Sequence, residues 1–346
     1  MIVIFLLIGD MNKKIMIRTL LLTVILVGFF FQTSCKRASE VTSSANIAIK
    51  EEVIKVKVGY LPINAALPLF VALEYNLFEQ QGVLVVPVKY QNGALMAEDV
   101  ISGQLAAACP GPADVYLSRE VESPGHFKIY LHTAYTPTNF IYSVLTRKDS
   151  GIRKLQDLHG KKIGVFPGVT NKLLLELLLQ QEFGWKPDMD VRVQGIAASM
   201  QLDALETGEY DAICPLEPIG TIGSSRPELK MINSGPIEQG VLNPLYITLH
   251  ALSTKVIQEN PEQMQRFVVA MEKAVDLMRT DEQAVRILLP KYTSLTLEQS
   301  QHSPIGECLK VKEASRPDFQ KLVDLLAHAG VLSRSIDVNP LYYEFK

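Results

Sequence analysis

The chain repeats itself, and this repeat constrains its fold more than any other feature of the sequence. KVGYLP at 57–62 matches KIGVFP at 162–167, and GQLAAACP at 103–110 matches GEYDAICP at 208–215. Position 162 lies 105 residues after 57, and position 208 lies 105 residues after 103. Two separate matches at one offset are typical of a duplicated structural unit. We therefore expect two similar lobes.

Each copy of the repeat has the pattern of a βαβαβ unit. A first strand ends in a Pro-bearing turn, and a third strand ends at Cys-Pro. Between them lie a helix (65–75 and 171–183), a second strand (84–90 and 191–195) and a second helix (94–102 and 198–207). Strands that alternate with helices of this length pair in parallel through right-handed crossovers. The sequence predicts an α/β fold in which each lobe is a mostly parallel sheet flanked by helices.

Length and composition agree with a two-domain globular protein. The chain has 346 residues, and domains average about 150. With 47% hydrophobic and 21% charged residues, it is neither disordered nor collagen-like. A formal net charge of −3 supplies no positive field for nucleic acid, so we expect no such partner.

The cysteines and histidines predict no metal site and no cofactor. Four scattered cysteines are too few and too far apart for a disulfide framework or a zinc site: Cys35, Cys109, Cys214 and Cys308. Cys109 and Cys214 end equivalent strands, which leaves a redox pair open, but two buried small side chains are the favoured interpretation.

Four turns are expected to form a ligand cleft, because open parallel sheets bind ligands beyond the carboxyl ends of their strands. These turns are 61–65, 110–114, 167–171 and 215–218. Two β-like runs at the lobe limits, 140–145 and 246–251, predict a two-strand hinge. Residues 256–332 have a helical pattern and are expected to pack on the first lobe.

Residues 1–35 have the pattern of an export signal. Basic residues at 13, 14 and 18 precede an apolar run at 20–31, which is shorter than the ~20 residues that a spanning helix needs. Met11 is an alternative start. An uncleaved membrane anchor is the other interpretation of this segment. Residues 36–52 are polar and predict a tether.

The end of this signal resembles the lipobox of bacterial lipoproteins. Small residues at 33 and 34 precede the lone Cys35, although Gln32 replaces the usual Leu. The resemblance implies acylation of Cys35 and a lipid anchor that holds the protein on the periplasmic or cell-surface side of the membrane.

Three segments carry a family resemblance: ALEYNLF at 72–78, KLQDLHGKKIGV at 154–165 and ALETGEYDA at 204–212, with NPE at 260–262. Over roughly 54–330 the chain resembles the periplasmic binding proteins of ABC importers that take up nitrate, sulfonates, taurine and thiamine-pyrimidine precursors. The resemblance implies a two-lobed type II fold, with lobe 1 at 53–139 and 251–346 and lobe 2 at 140–250.

The same resemblance implies a monomer that captures a small molecule between its lobes and delivers it to an ABC permease. The alternative is an enzyme on the same scaffold, since relatives with this fold act in thiamine-pyrimidine or menaquinone biosynthesis. An exported N-terminus favours the binding protein.

The candidate ligand residues come from the four turns and from the strand end at Tyr135. Glu217 and Asp114 can accept hydrogen bonds from ligand nitrogens, or serve as a solvated turn residue and a helix-dipole partner. Thr170 and Asn64 can bind ligand or cap a helix, and Tyr135 can stack a flat ligand or pack at the hinge. The full set is Leu61, Pro62, Asn64, Gly111, Asp114, Tyr135, Gly168, Val169, Thr170 and Glu217.

The charge of the turns predicts the class of ligand. None of the four turns contains Lys or Arg, whereas two of them contain a carboxylate. We therefore expect a neutral or cationic nitrogen-bearing solute, such as a pyrimidine-like compound.

Overall fold

The structure, a computed structural model, describes residues 55–344. The predicted signal peptide, the tether and Cys35 lie outside this range. Within 55–344, no helix has the length and apolar character that a membrane crossing needs.

The described residues form two sheets. The strands are β1 Lys55–Tyr60, β2 Leu84–Lys89, β3 Ala107–Pro112, β4 Phe127–Tyr135, β5 Ser143–Arg147, β6 Lys162–Val165, β7 Arg192–Gly195, β8 Ala212–Cys214, β9 Leu229–Ser234, β10 Leu245–Ser253 and β11 Glu307–Lys310. The first sheet has the order β11-β4-β10-β3-β1-β2, and the second has the order β7-β6-β8-β5-β9.

The two sheets follow the internal repeat. β1 pairs in parallel with β2 and β3, and β6 pairs in parallel with β7 and β8. Beside the third strand of each unit lies an antiparallel strand that follows a crossing from the other lobe: β10 next to β3, and β5 next to β8. The two-lobed α/β architecture is confirmed, and these added strands make both sheets mixed.

The helices surround both sheets. They are α1 Leu67–Glu74, α2 Gly93–Ile101, α3 Ala113–Glu122, α4 Val169–Phe183, α5 Gln201–Glu206, α6 Ile219–Ser224, α7 Pro236–Gly240, α8 Thr254–Glu259, α9 Pro261–Thr280, α10 Glu282–Arg286, α11 Leu289–Tyr292, α12 Leu297–Ser300 and α13 Arg316–His328. Short 3-10 helices are Asn64–Ala66, Glu79–Gln81, Leu155–Leu158, Ala198–Met200 and Asn339–Leu341.

The glycines of the repeat have a physical reason. A Cβ at Gly59 would lie 2.6 Å from Leu105 Cδ1, and a Cβ at the equivalent Gly164 would lie 2.9 Å from Ile196 Cγ2. Both strands therefore need glycine at these positions, because the Leu105 and Ile196 side chains leave no room for a Cβ atom. Gly103 and Gly208 follow α2 and α5 with φ of 81° and 77°, a left-handed conformation that glycine adopts without strain.

The C-terminal part packs against helices and strands of the first sheet. α9 lies against α1 with its apolar stripe buried, and Phe267 stacks on Phe78 with ring centroids 5.3 Å apart. Strand β11, which pairs antiparallel with β4, interrupts the predicted helical tail. Its four residues are too few to show the alternation that predicts a strand.

The lobes are joined through residues 136–142 and 235–244. Glu238 in α7 accepts hydrogen bonds from the backbone N–H groups of Ile141 at 2.8 Å and Tyr142 at 3.3 Å. Gly235 N–H also donates to the Tyr142 carbonyl at 2.8 Å. Hydrogen bonds thus join the two connecting segments, 136–142 and 235–244, to each other.

The two runs predicted as hinge strands lie in different sheets, in β5 and β10. β10 belongs in full to the first sheet, so the chain leaves the second sheet before Leu245. The lobe limits at 139/140 and 250/251 stay predictions.

Candidate functional site

A cleft of about 250 Å³ lies between the lobes, at the carboxyl ends of the parallel strands. The first sheet and the segments around it supply Leu61, Ile63, Gln91, Asn92, Gly93, Ala94, Pro112, Asp114, Val115, Ile247 and Thr248, and the second sheet and its surroundings supply Phe166, Pro167, Gly168, Thr170, Asn171 and Leu216. The wall is mainly apolar, and among these residues Asp114 carries the one formal charge.

Asp114 connects the two walls of the cleft. It lies in the first turn of α3, where a carboxylate suits the helix dipole. Its Oδ1 accepts a hydrogen bond from Val115 N–H at 3.0 Å, and its Oδ2 accepts one from the Thr170 hydroxyl at 2.6 Å. Because Thr170 belongs to the second lobe, this second bond joins the lobes across the cleft.

The second wall is built on the first turn of α4. Gly168 precedes this helix with φ of 135°, and a Cβ there would lie 3.1 Å from Asn171 Nδ2. No side chain caps α4, so its first backbone N–H groups are left to other acceptors. Asn171 is held by Tyr142, whose hydroxyl donates to Oδ1 at 2.6 Å. The Asn171 amide is therefore held in place on this side of the cleft.

The first wall contains a turn that follows β2. Asn92 caps α2 by accepting hydrogen bonds from Ala94 N–H at 2.9 Å and Leu95 N–H at 3.1 Å. Gln91, Gly93 and Ala94 complete the turn at the cleft. The four predicted turns omit this segment, although β2 is a parallel strand whose carboxyl end faces the same edge.

Glu217 lies in a polar contact between the lobes and does not line the cleft. It is 2% exposed, and its Oε2 accepts hydrogen bonds from the Thr221 hydroxyl at 2.7 Å and the Ser303 hydroxyl at 3.1 Å. Burial raises the pKa of Glu217 to about 7, although its hydrogen bonds act in the opposite direction. A Cβ at Gly220 would lie 2.4 Å from Glu217 Oε1, so this glycine leaves room for the carboxylate.

Asn64 belongs to the same contact, which we call the interlobe polar cluster: Asn64, Glu217, Thr221 and Ser303. The Asn64 amide donates to the Ser303 hydroxyl at 2.6 Å and to the Pro304 carbonyl at 2.8 Å. Arg286 donates to the Ser303 carbonyl at 2.6 Å and so holds this segment. Glu217 therefore bonds to Ser303 across the lobe boundary, whereas Asn64 bonds to Ser303 and Pro304 within the first lobe. A ligand contact by either side chain would require these bonds to rearrange.

The structure brings four of the predicted ligand residues to the cleft wall: Leu61, Asp114, Gly168 and Thr170. Pro62 and Val169 adjoin lining residues but are not part of the wall, and Val169 is 67% exposed. The ligand roles of all these residues stay predictions.

Gly111 and Tyr135 serve packing in this structure. A Cβ at Gly111 would lie 2.6 Å from Tyr116 Cε2, so a larger residue at this position would displace the buried Tyr116 ring of α3. Tyr135 is buried, and its hydroxyl pairs with the Thr248 hydroxyl at 3.1 Å. Burial raises the pKa of Tyr135 well above its usual range.

Some of the other wall residues lie in or next to turns that the sequence predicts, and others do not. Phe166, Pro167 and Asn171 lie within or beside a predicted turn, and Leu216 lies in another. Ile247 and Thr248 lie within β10, a position that no turn rule indicates.

The cysteines of the described range are free and buried, as predicted: Cys109, Cys214 and Cys308. Burial raises the pKa of the Cys308 thiol to about 12, and it raises the pKa values of the Cys109 and Cys214 thiols well above their usual range. Thiolate chemistry is therefore disfavoured at all three. Between residues 55 and 344, no group of three or more His, Cys, Asp or Glu side chains could hold a metal ion.

Two mixed α/β sheets, facing each other across a cleft at their strand ends, define the fold of the periplasmic binding proteins. The chain belongs to the NMT1/THI5 like family, whose family model matches residues 64–284. Both predictions, of the family and of the fold, are confirmed.

Sequence relatives agree with this assignment. A binding protein of Brucella abortus is 28% identical over 237 residues, which is 68% of this chain and 70% of that protein. The nitrate/nitrite binding protein NrtA of Nostoc sp. is 23% identical over 206 residues, 54% of this chain and 47% of its own length.

Solved structures share the fold. The aliphatic sulphonate binding protein SsuA from Escherichia coli superposes with a TM-score of 0.66 at 16% identity, over 84% of this chain and 97% of that one. The nitrate-binding protein NrtA from Synechocystis gives 0.65 at 15% identity, over 83% and 84% of the two chains. These relatives and neighbours are binding proteins.

Proposed function

We propose that the protein is an extracytoplasmic solute-binding protein that captures a small molecule in the interlobe cleft and delivers it to an ABC permease. The family, the two-lobed fold and the binding proteins among its relatives support this function. The cleft supports it as well, because each lobe supplies one wall and a ligand between them would contact both. Ligand contacts to both lobes stabilise a closed form relative to an open one.

The observation that carries the ligand class is the charge of the cleft wall. Among residues 55–344, Asp114 is the only charged residue in the wall, and neither Lys nor Arg lines it. A ligand nitrogen that donates to Asp114 Oδ2 would replace the Thr170 hydroxyl, which occupies that oxygen at 2.6 Å. We therefore propose a neutral or cationic nitrogen-bearing solute, with flat apolar parts against side chains such as Phe166 and Leu216.

An anionic ligand fits the same wall less well. Neighbours in fold are named for nitrate and for sulphonates. In this chain, such an anion would depend on backbone N–H groups at helix starts and would lie near the carboxylate of Asp114.

The test is native purification followed by mass spectrometry of the small molecule that co-purifies. We expect a compound with at least one hydrogen-bond-donating nitrogen and no net negative charge. A bound sulfonate, nitrate or carboxylate would overturn the ligand class and leave the binding function in place. If no small molecule co-purifies and a broad solute panel produces no thermal shift, the binding function itself fails.

The proposal includes a lipid anchor at Cys35 and a location on the periplasmic or cell-surface side of the membrane. The lipobox-like residues before Cys35 support both statements. Two acyl chains would provide stable attachment, because a single chain binds membranes only marginally.

A further inference from the structure

A small void between the lobes is lined by two polar side chains that each leave one oxygen without a donor. Ile63 lines both this void and the cleft, and Asn64 and Glu217 line the void from opposite sides of the lobe boundary. Both polar residues are buried. Within the described part of the chain, no group donates to Asn64 Oδ1 or to Glu217 Oε1. The void is too small for a water molecule, so water cannot supply the missing donors.

Ser143 brings a third unpartnered oxygen to the same place. A Cβ at Gly220 would lie 2.3 Å from Ser143 Oγ and 2.4 Å from Glu217 Oε1, so these two oxygens are neighbours. Ser143 Oγ is buried and has no hydrogen-bond partner between residues 55 and 344. A proton on Glu217 Oε1 would give this group of oxygens a donor. A bare carboxylate would instead leave a buried charge among them.

The surroundings of Glu217 supply no cation to compensate such a charge. Glu217 has no ion-pair partner among the described residues, and burial raises its pKa from the ordinary value of 4.5 to about 7. Arg286 is used elsewhere, since it donates to the carbonyls of Ser300 and Ser303 and pairs with Glu282 at 2.7 Å. The other titratable groups on the elements around Glu217 are Tyr135, Tyr142, Cys214, Glu238 and the exposed His302.

This environment exists only while the lobes are in contact. Ser303 donates to Glu217 Oε2 at 3.1 Å and accepts from the Thr221 hydroxyl at 2.9 Å, both across the lobe boundary. Separation of the lobes withdraws Ser303 and admits water to the carboxylate, which then ionises at its ordinary pKa. Contact between the lobes and a proton on Glu217 therefore favour each other.

We propose that protonation of Glu217 controls the closure of the lobes: the protonated side chain favours the closed form, and the ionised side chain favours the open form. This inference rests on the proposed function, because closure is the step that captures the solute. Capture then takes up as much as one proton on Glu217. A solute is consequently held more tightly at acid than at alkaline pH.

Glu238 does not have the same role, although burial raises its pKa to about 7 as well. Its Oε1 accepts hydrogen bonds from Ile141 and Tyr142 N–H, which lie within the connecting segments. These bonds do not depend on the separation of the lobes. The titration of Glu238 therefore changes the stability of the open and closed forms alike.

The experiment measures the distance between the lobes as a function of pH, with the full chain in detergent and no solute. Spin labels are attached to Met189→Cys and Ile287→Cys, whose positions are 77% and 54% exposed and lie on different lobes. A chain without these two cysteines controls for labelling of the other thiols. Double electron–electron resonance should show two distance populations. The ratio of closed to open molecules should fall by up to about tenfold for each pH unit between about pH 5 and 7.

Three variants assign this pH dependence to a residue. Glu217→Gln keeps the shape of the side chain and supplies an amide donor that does not ionise, so the ratio should stay at its acid value up to pH 8. Glu238→Gln and His302→Gln are the matched controls, and both should retain the pH dependence of the unaltered chain. If Glu217→Gln does not fold, the controls still decide, because loss of the pH dependence in either control assigns it to another group.

Several outcomes overturn the proposal: a ratio that is the same at all pH values, an unchanged pH dependence in Glu217→Gln, or its loss in a control. None of them affects the binding function, since no solute is present in this experiment. The binding function fails separately, if no small molecule co-purifies and no solute of the panel produces a thermal shift.

Discussion

Replacing Asp114 by Asn tests the ligand class most directly. Asp114→Asn keeps the shape of the side chain and removes the one formal charge that the described part of the chain places in the cleft wall. Oδ1 accepts from a backbone N–H, that of Val115, whereas Oδ2 accepts from the Thr170 hydroxyl, which can rotate away. A ligand nitrogen would therefore use Oδ2, in place of this hydroxyl. In Asn this position is either a weaker acceptor or a donor that opposes the ligand N–H.

The magnitude follows from the kind of bond that is lost. A hydrogen bond to a charged group contributes about 1.5–3 kcal/mol, and each 1.4 kcal/mol changes an affinity about tenfold. We therefore expect Asp114→Asn to weaken ligand binding by about ten- to a hundredfold. The same change removes a favourable interaction with the dipole of α3, which affects the free energy of unfolding by about 0.3–1 kcal/mol.

The assay is isothermal titration calorimetry with the compound that co-purifies. Asp149→Asn is the matched control, because Asp149 is 80% exposed and does not line the cleft. It should bind as the unaltered protein does. Thr170→Val removes the hydroxyl that competes for Asp114 Oδ2, and binding should be retained or slightly tighter. Unchanged or tighter binding by Asp114→Asn would refute a cationic or nitrogen-donating contact at this carboxylate.

Three further predictions concern stability, anchoring and motion. Burial raises the pKa values of Glu217 and Glu238 to about 7, so between pH 4.5 and 7 the folded protein holds protons that the unfolded chain releases. The free energy of unfolding should fall by up to ~3 kcal/mol per group from pH 5 to pH 8, at about 1.4 kcal/mol per pKa unit. Urea unfolding at both pH values should show that the free energy of unfolding falls less in Glu217→Gln than in the unaltered protein. An equal fall in the variant and the unaltered protein contradicts the burial argument. Cys35→Ser should move the protein from the membrane to the soluble fraction, since the acyl chains anchor it, and retention would indicate an uncleaved apolar segment instead. Small-angle scattering should show a smaller radius of gyration when the ligand is added. No change at verified saturation argues against closure of the two lobes about residues 136–142 and 235–244.

Sequence reasoning predicted the parts of this protein that a local pattern determines. The repeat specified both βαβαβ units, since Gly59 and Gly164 are needed for close packing and Gly103 and Gly208 for left-handed backbone. The cleft followed because parallel strands place their carboxyl ends at one edge.

The sequence does not predict in which direction the side chain of a turn residue points. Glu217 lies in a predicted cleft turn, but its carboxylate bonds to Ser303, which is 86 positions away in sequence. Such a contact depends on how the C-terminal segment returns to the lobe interface, and no short pattern encodes that return.

The position of β10 has a consequence for the order in which the protein is assembled. This strand lies between β3 and β4 in the first sheet, yet its residues come after the whole second sheet in the chain. During synthesis the second sheet has all its strands once residue 234 has emerged, whereas the first still lacks its central antiparallel strand. Domains generally fold as units, and the N-terminal one usually folds first. Here the lobe that begins the chain is the last to be completed, so a chain stopped between β9 and β10 should contain a finished second lobe and an open first one.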